Sequence, residues 1–153
     1  MDKTGLITNS KGNIRNLAVD GLIFGVLSGL GMYLVMTVLV LFSRNSVTTL
    51  LERFSTGAMT SPLQGLLSHL AVSAIYGMLF GALIWPILQR FSAQKLMGWL
   101  GGLGYGLLLL FLAQVAILPA TASPLAQLPL REWVLGHVAY GLILGAFFAR
   151  ENA

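Results

Sequence analysis

The chain has no cysteine, so disulfides, thiolate metal sites and thiol nucleophiles are excluded. Charge is nearly as scarce. Asp, Glu, Lys and Arg make up 9% of the 153 residues, and only five are acidic, where a soluble domain carries about 25%. So few charges cannot cover a water-soluble fold of this size, and a hydrophobic content of 56% points to the bilayer as solvent. The net charge of +4 sits mostly in loops, which reads as an orientation signal and not as a nucleic-acid surface. The polar residues 1–15 contain no hydrophobic stretch, so they read as a cytoplasmic arm and not as a cleavable signal peptide. The apolar runs also lack ionisable residues at depth. That argues against an ion-coupled pump and an intramembrane protease, both of which need such groups. With no nucleophile, base and orienter in reach of one another, the chain reads as a non-enzyme.

What is present is four apolar runs, at about residues 17–42, 63–88, 96–118 and 132–149. Each approaches or exceeds the ~20 residues needed to cross a bilayer. The expected fold is all-α: a four-helix integral membrane bundle forming one domain over 16–150, with 151–153 as a tail. Every run contains a Gly-x-x-x-Gly: Gly21, Gly25 and Gly29 in the first, Gly77 and Gly81 in the second, Gly102 and Gly106 in the third, Gly141 and Gly145 in the fourth. Such spacings let helix backbones approach closely in lipid. The stripes at 21–29 and 98–106 exceed what one bundle needs, which predicts partner helices from other transmembrane subunits or from a second copy.

The strings repeat. Gly29-Leu30-Gly31-Met32-Tyr33 is echoed by Gly102-Leu103-Gly104-Tyr105, and Tyr76-Gly77…Gly81-Ala82 by Tyr140-Gly141…Gly145-Ala146. The pattern predicts two helical hairpins of one kind in a parallel repeat.

The two histidines, His69 and His137, fall at similar depth near one end of their runs. Two readings stay open. They could be ligands of haem b iron or bacteriochlorophyll magnesium, with Ser68 and Gly136 leaving room for a macrocycle. Alternatively each hydrogen-bonds within the bundle to a carbonyl, a hydroxyl or Gln114. His69 lies seven residues before Tyr76 and His137 three before Tyr140, an offset of one turn, roughly 6 Å. That favours hydrogen bonding, and no cofactor is expected. The remaining intramembrane polar groups, Tyr33, Tyr76, Tyr105 and Tyr140, need partners in lipid, which predicts a central tyrosine cluster.

Three further expectations concern the ends. Val47, Leu50, Leu51 and Phe54 form a helical stripe, which predicts a short interfacial helix. Residues 119–131 contain Pro119, Pro124 and Pro129 and should not form a continuous helix. Trp85 is placed to anchor at the headgroups. Lys3, Lys11, Arg15, Arg90, Lys95 and Arg150 lie at one end against Arg44, Arg53 and Arg131 at the other, so both termini are expected in the cytoplasm.

In its order of features the chain is similar to small uncharacterised bacterial four-span membrane proteins. The matching strings are Gly21–Gly31, His69…Tyr76-Gly77, Gly98–Gly106 and His137…Tyr140-Gly141. The resemblance covers the four spans. It implies that fold in a bacterial inner membrane, and no established activity. The function expected is that of a non-catalytic accessory subunit in a larger membrane complex, bioenergetic complexes included. The alternatives are a haem- or bacteriochlorophyll-binding subunit using His69 and His137, and a carrier of uncharged solutes or lipids.

Overall fold

The computed structural model describes residues 13–44, 46–55, 60–121 and 123–151. Residues 1–12 of the expected arm and 152–153 of the tail lie outside them. The described residues form five helices and no strand: α1 (Ile14–Phe42), α2 (Val47–Arg53), α3 (Pro62–Leu88), α4 (Gln94–Thr121) and α5 (Leu130–Glu151). All but α2 are long and apolar enough to cross a membrane. The protein is a multi-pass membrane protein built as an all-α bundle. Helix starts follow local chemistry. The Asn13 and Ser61 side chains accept from the backbone N–H of Arg15 and Gln64, and Pro62 opens α3 with its preset φ. Arg15 is thus already helical and does not belong to a flexible arm.

The packing is inside-out relative to a soluble bundle. On α1 the buried face is Gly21, Gly25, Ser28, Gly29, Met32 and Met36, while Leu22, Ile23, Leu27, Leu34 and Val38 point outward. Bulky apolar side chains gain nothing from the interior when the solvent is itself apolar. Small residues gain close backbone contact, so they take the inside.

Two glycine seams result. α1 packs antiparallel on α3, α4 on α5, and α1 on α5 joins the two pairs. At the first seam, a Cβ on Gly77 would run into the Gly21 carbonyl and the backbone of Gly25. At the second, a Cβ on Gly102 would meet the Gly141 carbonyl and stand 2.8 Å from Gly145 Cα. Gly29 rests on the Ser73 side chain, Gly81 on the Leu17 carbonyl, Gly106 on the His137 carbonyl and Gly145 on the Gly98 carbonyl. The structural counterparts are therefore Gly21 and Gly25 with Gly102 and Gly106, not Gly29 with Gly102. The string match around Gly29 is a coincidence of composition, while the Tyr-Gly match of α3 and α5 is real in space. Gly21, Gly25 and Gly29 of the first stripe and Gly98, Gly102 and Gly106 of the second are covered inside the bundle, whereas Gly104 is exposed.

Two wide turns extend one helix end and correct one more expectation. α3 contains a π turn at Phe80–Ile84 and α4 one at Ala113–Ile117. Each ends two residues before a proline, Pro86 and Pro119. Proline cannot donate and crowds the carbonyl four residues back. Widening the preceding turn to i→i+5 bonds relieves both conflicts. The helix therefore continues past Pro119 to Thr121, and the described residues between α4 and α5 include a 3-10 turn, Pro124–Gln127, so 119–131 is not one continuous helix, as expected. The extra residue also resets the helix phase by about 100°, which returns Trp85 to the interior. It is fully buried with its ring 5.3 Å from that of Phe148, so it is a core residue and not a headgroup anchor.

The short helix over 47–54 forms as α2. Leu50 is buried, and the Leu51 carbonyl lies against Gly65 of α3. α2 thus sits across one end of the bundle. That end also holds the 3-10 turn and the start of α5, whereas Asn13, Leu88, Gln94 and Glu151 mark the terminus end.

Candidate functional site

The polar groups within the spans point to one another's backbones. His69 donates from Nε2 to the Gly29 carbonyl of α1 (3.0 Å), and His137 donates from Nδ1 to the Trp133 carbonyl one turn earlier in α5 (2.9 Å). A carbonyl only accepts, so these ring nitrogens carry the protons. Each ring also has an aromatic neighbour: Phe54 at 4.8 Å from His69, and Trp133 stacked at 5.3 Å on His137. Gly136, read as leaving room for a macrocycle, instead faces the Met32 and Met36 side chains. Gln114 lies in the π turn of α4 and bonds to neither imidazole.

The tyrosines divide. Tyr105 donates to the Tyr76 carbonyl (2.8 Å), and Tyr140 donates to the Ser73 carbonyl (2.7 Å). Both bonds tie the α4–α5 pair to α3, where no glycine seam draws the helices together. Tyr33, expected in the same cluster, is only partly buried and forms no such bond. His69, Tyr105 and Tyr140 therefore act as joints between helices, whereas His137 bonds within α5. The two imidazoles lie within electrostatic reach of each other, as do the Tyr76, Tyr105 and Tyr140 side chains.

A different site forms at the α2 end. Glu132 stands in the first turn of α5, after Pro129, and is 1% exposed. Neither carboxylate oxygen has a hydrogen-bond partner among the described residues. The residue lines a cavity of about 80 Å³ between α2 and the start of α5, although its carboxylate oxygens have almost no surface on it. Val40, Leu50 and Leu128 make its apolar wall, and Ser46, Thr49 and Arg53 of the α2 segment make its polar side. Arg53 makes no ion pair with Glu132 among the described residues. Compared with protein-family models, curated proteins and solved structures, this chain matches none. The reading of the site therefore rests on its geometry.

The sequence reading, which looked for ionisable groups deep in the spans, passed over Glu132 at the mouth of the fourth. The available signal was a lone acid just after a proline, at a helix start next to an apolar loop. A carboxylate there is favoured by the helix dipole, but nothing in the sequence announces its burial.

The imidazole and phenol donors are occupied by carbonyls, and the second ring nitrogen of each histidine, Nδ1 of His69 and Nε2 of His137, keeps its lone pair. At the cavity, the Ser46 hydroxyl donates to that of Thr48 (3.0 Å).

Proposed function

We propose that the protein is a non-catalytic accessory subunit of a larger membrane assembly in a bacterial inner membrane, with both termini cytoplasmic. The observation that carries this reading is Gly104. It is exposed on α4, and a Cβ added there would meet nothing within 4 Å. The glycines of the two seams face a neighbouring backbone, whereas Gly104 leaves α4 bare between exposed Leu100, Leu107 and Leu108. Bare backbone in lipid is an approach site for another helix. The phenol donors of Tyr105 and Tyr140, occupied by carbonyls of α3, support a role in packing over a chemical one. The excess of Lys and Arg at the terminus end supports the orientation.

The test is gentle extraction from the native membrane, then native sizing and mass spectrometry, on the wild type and on Gly104→Leu. The expected result is a stoichiometric partner with the wild type and its loss in the variant, which keeps the bundle folded. Recovery of the wild type as a lone monomer would refute the reading. A reporter fused at Gln94 checks the orientation, and a signal from the outer side of the membrane would reverse it.

A further inference from the structure

The two imidazoles are committed on one nitrogen and open on the other. The Gly29 carbonyl holds the proton of His69 on Nε2, and the Trp133 carbonyl holds that of His137 on Nδ1. Each ring therefore keeps a lone pair, on Nδ1 in His69 and on Nε2 in His137. Among the described residues, the sealed and unpartnered side-chain polar atoms belong to Ser28, Thr37, Trp85 and Glu132, so these two nitrogens keep accessible surface. A ring N–H held by a backbone carbonyl is the common support of a metal-binding histidine.

Helix register brings the two rings to one layer. α3 and α5 both run from the α2 end to the terminus end, and Tyr140 of α5 reaches the Ser73 carbonyl of α3 at 2.7 Å. One turn back along each helix, on the same faces, stand His137 and His69, at heights that differ by about 1.5 Å. The rings lie within electrostatic reach of each other. α1 brings sulfur to this layer. His69 bonds to its Gly29, and Met32 and Met36 follow one and two turns on along that face. Met36 Sδ and Met32 Cε each lie 3.2 Å from where a Cβ on Gly136 would stand, and Gly136 precedes His137 in the chain. All four side chains are buried.

We propose that His69, His137 and Met36 bind a single monovalent copper ion, through Nδ1, Nε2 and Sδ. Imidazole suits copper, and a thioether selects its soft monovalent state. Among the described residues no three of His, Cys, Asp and Glu come together. Zinc is thus short of the ligands it takes, and calcium and magnesium of the oxygens they need. All three ligands are neutral, so the ion brings one charge into the bundle where a divalent ion would bring two, and burying charge is costly. The rings have room for an ion and not for a macrocycle. Phe54 lies 4.8 Å from the ring of His69, and Trp133 stacks at 5.3 Å on that of His137. Met32 and Met36 fill the space beside Gly136. This site is separate from the Gly104 face and does not depend on any partner subunit.

The test uses the full-length protein, purified metal-free in detergent under reducing conditions and titrated with Cu(I) held by a chromophoric chelator. X-ray absorption then reads the atoms around the bound ion. The expected result is one Cu(I) per chain, with nitrogen and sulfur neighbours. His137→Phe keeps a ring and removes the lone pair, and His137 bonds only within its own helix. It should weaken binding by more than the ~100-fold that losing an outer-shell partner costs. Met36→Leu nearly conserves volume, so it folds even if His137→Phe does not. It should weaken binding about tenfold and remove the sulfur signal. A wild type that takes up no Cu(I), or undiminished affinity in Met36→Leu, would overturn the proposal. Retention of zinc instead of Cu(I) from an equimolar mixture would overturn it as well.

Discussion

The two ends of this bundle are built on different principles. At the terminus end, Phe80, Trp85 and Phe148 are fully buried, and Phe148 lies 5.2–5.3 Å from the rings of Phe24, Phe80 and Trp85. Aromatic pairs at such separations add to the area they bury. At the α2 end, a charged side chain is buried beside a hole. The rings close-pack one end, where the buried Trp85 Nε1 has no hydrogen-bond partner among the described residues, and a cavity remains at the other. α2 packs on α3 and α1 and lines the cavity beside Glu132.

Both ends hang from the glycine seams, so the largest effect is expected between them. Gly102→Leu drives a side chain into the Gly141 carbonyl, a backbone atom no rotamer change can move aside. It should abolish the α4–α5 pairing, read as loss of the monodisperse species on size exclusion and of cooperative unfolding in detergent. A wild-type profile would mean the seams are elastic and that the ends are not built on a common frame.

Next comes the filled end. Phe148→Ala should cost about 3–5 kcal/mol in detergent unfolding, because three rings lose a partner. The matching change at the α2 end is Glu132→Met, similar in volume and without charge. It should leave stability unchanged or raise it by about 1 kcal/mol, since an unpartnered buried group is removed. A loss as large as that of Phe148→Ala would erase the contrast. The smallest effect belongs to the joints between helices. Tyr140→Phe removes the bond to the Ser73 carbonyl and should cost about 0.6 kcal/mol, the average for such bonds in membrane helices. A cost several times larger would move the stability centre from the aromatic end to the α3–α5 joint.

How much of this was legible in the chain varied with the range of the interaction. Helix number and the four spans followed from composition and length, which are local. The α2 helix followed from a four-residue stripe. Which glycine meets which did not. Gly29 and Gly102 share a string, but the partner of Gly102 is fixed by how far α5 slides along α4, a tertiary quantity. The inward turn of Trp85 was hidden because the sequence was read with an unbroken 3.6 period, and Pro86 breaks that period one turn earlier than its own position. Glu132 was hidden for a third reason. Across the cavity beside it stand Val40 and residues of the 46–53 segment, some 80–90 positions away, and the acid carries no mark of these neighbours.

The wide turns before Pro86 and Pro119 have a consequence for how such a chain tolerates change in length. A membrane helix normally rejects a one-residue deletion, because everything beyond it rotates to a new face. In α3 and α4 the spare residue is already present. Removing one position from Phe80–Ile84 together with Pro86→Ala would let an ordinary helix form, with the indole of Trp85 still pointing into the bundle. Each proline and its wide turn are thus a matched insertion, and the two could be gained or lost together without disturbing the core beyond them.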